Sequence, residues 1–164
     1  MPLVCLDTQI LIWGIQKNSR ETQKDMISKA EAFLDNCQKN KTLMMIPSIV
    51  LGEFLTTVDI KEHSDIIRQL SSSYIINSYD AKSAAIFAKL WREKKESGLI
   101  DNIKKDDFEI KRQELKADCM IVAAAIASKA TAIYSYDKGL KSFAGNSINV
   151  LHLPELSYQE EIFK

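Results

Sequence analysis

Five short apolar runs constrain this chain most: LVCL at 3–6, TLMMI at 42–46, YIINSY at 74–79, TAIYSY at 131–136 and INVLHL at 148–153. Each has the length of a strand, and amphipathic segments of helical spacing separate them. Strands alternating with helices build βαβ units around a parallel sheet. LVCL and TAIY are apolar at consecutive positions, the pattern of strands covered by helices on both faces. The sequence therefore predicts an α/β fold: a three-layer α/β/α sandwich with a central, mostly parallel sheet.

The intervening segments read as helices. Residues 20–38 place Met26, Ile27, Ala30, Phe33, Leu34 and Cys37 at helical spacing, with Asn18 and Glu21 as a start signal. Pro47 and Ser48 open a helix that carries Glu53, and 62–72 puts Ile66, Ile67 and Leu70 on one face. Asp80 caps a helix over 81–96 that stops at Gly98. Residues 92–117 are dense in charge and read as a helical or loop segment, and DCMIVAAAIASKA after them reads as the most buried helix.

The chain has 164 residues, suited to one domain over 1–164 that buries roughly 68–70% of its unfolded surface. Its 22 basic and 22 acidic residues cancel, which argues against a general DNA-coating protein. An enzyme that grips a few phosphates is still compatible with that balance. No apolar run approaches the roughly 18 residues of a membrane span, and the first residues lack the pattern of a signal peptide. Cys5, Cys37 and Cys119 are odd in number, widely spaced and set in apolar or amphipathic runs. They read as reduced core residues of a cytoplasmic protein. His63 and His152 are too few for a zinc site.

Four acids stand in apolar surroundings: Asp7, Glu53, Asp118 and Asp137. Charged residues are almost never fully buried unless paired or bound to a metal. Topology sends all four to one place. Asp7 and Asp137 each follow a strand, so both lie at the carboxyl edge of a parallel sheet. Glu53 lies about 7.5 Å along the helix that leaves the second strand. Asp118 sits at the start of the apolar part of a helix that must run antiparallel to the next strand, which returns it to the same edge. Ligands bind at that edge in open α/β sheets. Four carboxylates there repel one another unless a cation sits among them, and an oxygen-only set suits Mg²⁺ or Mn²⁺. Each acid alone has a plainer reading: Asp7 and Asp137 as helix caps, Asp118 as an exposed first-turn acid, Glu53 as a solvent-facing residue.

LDTQILIW at 6–13, IPSIVLGEF at 46–54, LKADCMIVAAAIA at 115–127 and AIYSYDKGL at 132–140 together resemble the PIN domain family, in particular VapC-type toxins. That resemblance implies a metal-dependent ribonuclease, with Asp7, Glu53, Asp118 and Asp137 as catalytic and metal-binding acids. It implies that Thr8 and Ser135 orient those acids, while Ser48 matches a hydroxyl that also suits simple capping. It also implies a homodimer and, for a toxin of a type II toxin–antitoxin pair, a small antitoxin partner. Gln9 stands where some relatives carry histidine. The length of the 92–117 segment departs from a minimal toxin, so a non-toxin PIN nuclease in RNA processing is the alternative. A degenerate binding scaffold is a further alternative, as is a Mg²⁺-dependent phosphatase or receiver.

An anionic site needs cations at its rim to hold RNA. Lys116, Lys138 and Arg112 are the candidates, with Lys141 nearby and Lys104, Lys105 and Lys111 on the charged segment. Each equally suits a solvated surface of mixed charge. Trp13 and Trp91 can stack on bases, but their apolar settings favour core or dimer packing.

Overall fold

The structure is a computed structural model that describes residues 1–102 and 108–157. Its sheet has five parallel strands in the order β3-β2-β1-β4-β5: β1 Leu3–Leu6, β2 Leu43–Pro47, β3 Ile75–Asn77, β4 Ala132–Tyr134 and β5 Asn149–Leu151. This is the expected three-layer α/β/α arrangement. In the middle strands consecutive residues are buried, Val4, Cys5 and Leu6 in β1 and Met44, Met45 and Ile46 in β2, as strands covered on both faces require.

Connections from β1 to β2 to β3 step one way across the sheet. They carry α1 (Thr8–Leu11), a π-helical turn (Ile12–Gln16), α2 (Lys24–Lys39), α3 (Ser48–Leu55) and α4 (His63–Ser73). The chain then returns past β1 through α5 (Ala81–Glu96), α6 (Leu99–Asn102) and α7 (Phe108–Ala127), and α8 (Lys138–Ala144) links β4 to β5. Right-handed crossovers put the first set on one face and the second on the other. The packing of α7 against both α5 and α8 agrees with this. The direction reverses between β1 and β4, and a crevice opens there at the carboxyl edge.

Local expectations met the structure unevenly. Asp80 caps α5 as predicted, accepting from the Ser83 amide at 2.8 Å, and α5 covers Ala81–Glu96, with Gly98 beyond it at φ +76°. Asn18 caps nothing: Arg20 and Gln23 occupy the cap positions of the 3₁₀ turn Glu21–Gln23 and of α2, neither with a side-chain bond. Ser48 is the first helical residue of α3, and the cap position falls to Pro47. Ile67 is 39% exposed while Leu70 is buried, so the packed face of α4 is narrower than its sequence suggested. YIINSY yields only the three paired residues of β3, because an edge strand has a partner on one side alone.

The charged 92–117 segment is the end of α5, then α6, then the first half of α7, apart from 103–107, which lie outside the described residues. Trp91 is half-buried between Phe87 and Phe143, with ring centroids 5.9 and 5.8 Å away. Trp13 is 2% exposed, so packing explains both tryptophans. Cys5, Cys37 and Cys119 are buried free thiols, and burial pushes those of Cys37 and Cys119 up to about 12, which keeps them inert. Among the described residues no helix is long and apolar enough to cross a membrane.

Candidate metal centre

Asp7, Glu53, Asp118 and Asp137 all line one open cleft of about 640 Å³ at the reversal between β1 and β4. Asp7 follows β1 directly, and its amide continues the sheet by donating to the Tyr134 carbonyl of β4 at 3.2 Å. The Asp7 side chain does cap α1, accepting from the Thr8 amide at 2.7 Å through Oδ1. Its other oxygen, Oδ2, accepts from the Ser135 hydroxyl at 2.6 Å. Ser135 is fully buried, and its Oγ accepts in turn from the Asp137 amide at 2.9 Å. One hydroxyl therefore ties the acid after β1 to the turn after β4.

Asp137 caps α8, with Oδ1 accepting from the Gly139 amide at 2.6 Å and from Leu140 at 3.2 Å. Glu53 is exposed on α3 and takes a 2.5 Å hydrogen bond from the Thr8 hydroxyl. The Thr8 and Ser135 hydroxyls thus each bond one of the acids.

Asp118 is not an exposed first-turn acid. It lies well inside α7, half-buried, because the helix begins at Phe108 rather than at the apolar run. Its carboxylate leans over the first turn of α8. A Cβ built on Gly139 would lie 2.1 Å from Asp118 Oδ2 and 3.0 Å from Asp137 Oδ1, so only glycine leaves room for both acids. Sequence reasoning missed Gly139, although it stands two residues after Asp137. It missed Glu114 as well, a fifth acid lining the cleft one helical turn before Asp118. That i, i+4 spacing was the available signal.

The electrostatics are those of a site short of positive charge. Burial, followed by repulsion from Asp137, Asp7, Glu53 and Glu114, pushes the Asp118 carboxyl up to about 7. Burial pushes Asp7 up to about 6 against the opposing hydrogen bonds from Ser135 and Thr8, with Glu53 and Asp137 adding repulsion. Among the described residues no lysine or arginine lines the cleft. Lys116 lies about 200° around α7 from Asp118 and so faces away from it. Lys138, Lys141 and Arg112 are exposed outside the cleft. Lys104 and Lys105 lie outside the described residues, as does the side chain of Lys111.

Among the described residues no three His, Cys, Asp or Glu side chains close into a ready-made cage. The donor set still fits a hard divalent cation. It is all oxygen, it is uncompensated, and Gly139 keeps space beside two of its members. Mg²⁺ keeps several waters and uses one or two carboxylates directly, so acids spread around a cleft suit it better than a tight cage.

The fold and cleft together define an all-parallel α/β protein with an acidic site at its switch point. The chain belongs to the PIN domain family, whose model matches residues 4–146. Its fold is similar to that of a chain of VapBC2 from Rickettsia felis, solved bound to a DNA fragment from their promoter. That match has a TM-score of 0.63 and 20% identity over 93% of this chain and 99% of that one. It is also similar to a chain of DNA-bound VapBC from Salmonella typhimurium, with a TM-score of 0.60 and 17% identity over 94% and 100%. No curated protein matches it by sequence.

Proposed function

We propose that this chain is a metal-dependent endoribonuclease that hydrolyses RNA phosphodiester bonds, and that it is the toxin of a type II toxin–antitoxin pair. One observation carries the nuclease reading: carboxylates from four separate elements line one cleft, two with strongly raised pKa values, and no cationic side chain of the described residues lines it with them. A scaffold gains nothing from such repulsion, whereas a cation-binding site needs it. The family supports the reading, and the VapBC neighbours support its toxin form, with an antitoxin partner and a cytoplasmic setting that suits three reduced cysteines.

Asp7, Asp118 and Asp137 are the groups that would hold Mg²⁺ or Mn²⁺, directly or through water, and Glu53 would hold the ion or orient the attacking water. Once bound, the cation supplies Lewis-acid activation of water near neutral pH and offsets charge building on the phosphate oxygens. The rest falls to the chain itself. Ser135 fixes the Asp7 oxygen and the Asp137 backbone together, Thr8 fixes Glu53, and Gly139 admits the Asp118 carboxylate. These contacts hold ligand oxygens in place before substrate arrives, which limits reorganisation during reaction. A homodimer belongs to the same reading.

The test is cleavage of total RNA and of defined tRNAs with Mn²⁺ or Mg²⁺, wild type against Asp7→Asn, alongside calorimetric titration of the metal. Cleavage by the wild type alone and millimolar or tighter metal binding are expected. Equal cleavage by both proteins, or no metal binding, overturns the reading. Harmless expression without an antitoxin would favour the RNA-processing alternative.

A further inference from the structure

The cleft does not end at the acids. Gln9 and Gln23 line it and also line an adjoining groove of about 400 Å³, whose other walls include Asn18, Ser19 and Arg20. The two glutamines therefore form the threshold between an anionic depression and one that carries a guanidinium. Both are half-buried, and neither side-chain amide is engaged by another described residue. Arg20 is exposed and has no acidic partner among the described residues. Arg68 and Arg92, by contrast, sit 2.6 Å from Asp65 and 3.3 Å from Glu96. In the cleft, the buried indole N–H of Trp13 has no hydrogen-bond acceptor among the described residues.

We infer that Gln9, Gln23 and Arg20 form a track for single-stranded RNA leaving the acidic site, with an unpaired base against the two amides and the next phosphate on Arg20. This rests on the ribonuclease reading and names the form of its substrate. A free amide offers a donor and an acceptor side by side, both of which a base edge can engage, whereas a phosphate engages the donor alone. A guanidinium offers the reverse, a fork suited to phosphate oxygens. The order along the surface is acids, amides, guanidinium. That matches a chain whose reacting phosphate sits at a cation, whose base comes next, and whose following phosphate needs a positive charge. Single strands fit because paired bases keep their edges engaged. The sequence had placed the phosphate contacts on Lys116, Lys138 and Arg112, none of which lines either depression.

The experiment measures binding with the full Asp7→Asn chain, so that no cleavage intrudes. A fluorescein-labelled single-stranded oligoribonucleotide is titrated by anisotropy in Mg²⁺ at several salt concentrations. Arg20→Ala is expected to weaken binding severalfold for every sequence and to flatten the logarithmic salt slope by about 0.7, one phosphate's worth for a single strand. Arg20→Lys should keep the slope, and Arg68→Ala should change neither quantity. Gln9→Ala and Gln23→Ala should shrink the differences in affinity among oligo(A), oligo(C) and oligo(U). An Arg20→Ala chain that binds with unchanged affinity and slope overturns the track, as does equal competition by duplex RNA of the same length. Loss of wild-type cleavage activity bears on the ribonuclease reading alone, because the track is tested by binding.

Discussion

The Asp118 carboxylate lies where a side chain at position 139 would have to be: a Cβ on Gly139 would approach Asp118 Oδ2 to 2.1 Å. Two helices packed together on one face of the sheet, α7 before β4 in the chain and α8 after it, can place their acids side by side in this way only because one of them carries no Cβ at that point. Gly139→Ala should therefore displace Asp118 while leaving the Asp137 cap on the Leu140 amide able to form. The expected result is a folded protein with metal affinity lowered roughly tenfold, the scale on which groups that orient ligands act. Calorimetric titration with Mn²⁺, with a thermal melt to confirm folding, checks this.

The raised carboxyls make stability depend on pH with a definite sign. Asp118 is raised from 3.8 to about 7 and Asp7 to about 6, so between those values the folded chain holds protons that the unfolded chain has released. This contribution to metal-free stability is fully present below about pH 4 and is lost as pH rises through 6 and 7. Asp118→Asn removes one such charge. In chelator at pH 8 it should be more stable than wild type by up to about 4 kcal/mol, with the difference vanishing near pH 4. Melts at the two pH values decide the matter, and equal melting at pH 8 counts against a strained carboxylate at 118.

Divalent cations should reverse that loss. A ligand that binds only the folded state raises the melting temperature with its concentration, and deprotonated acids bind it best. Millimolar Mn²⁺ is expected to raise the melting temperature by several degrees at pH 8 and hardly at all at pH 5, where Asp7 and Asp118 are mostly protonated. A shift of the same size at both pH values would place the ion elsewhere.

Ser135 joins the two strands' acids through one oxygen, donating to Asp7 Oδ2 and accepting from the Asp137 amide. Ser135→Ala leaves both groups short of a partner and should cost about 1–3 kcal/mol of stability, read from chemical denaturation. Its hydrogen bond holds the Asp7 carboxyl down, so the variant should also lose metal binding at higher pH than wild type does. Ser135→Cys, close in size but a weak donor, is expected to restore packing without restoring that pH profile.

The sequence on its own determined the sheet and the edge at which the acids gather. Short apolar runs alternating with amphipathic segments build βαβ units, and parallel order carries Asp7 and Asp137 to the same end. That inference needs no knowledge of side-chain neighbours, and so it was legible. The plain reading of Asp7 and Asp137 as helix caps was legible for the same local reason, and both do cap while also lining the cleft. What the sequence could not yield were relationships between residues far apart in the chain. The Ser135 link to Asp7 spans 128 positions, and the clearance of Gly139 for Asp118 depends on how closely α7 packs against α8. The extent of α7 was hidden as well, since its charged first half lacks the apolar periodicity that marks a packed helix, and this turned Asp118 from a possible surface acid into a half-buried one. Where the predicted rim cations stand relative to the cleft was not legible, because charge on a helix says nothing about which way its face turns. Only the packed structure set Lys116 away from the cleft and brought Arg20 into a groove that shares two glutamines with it.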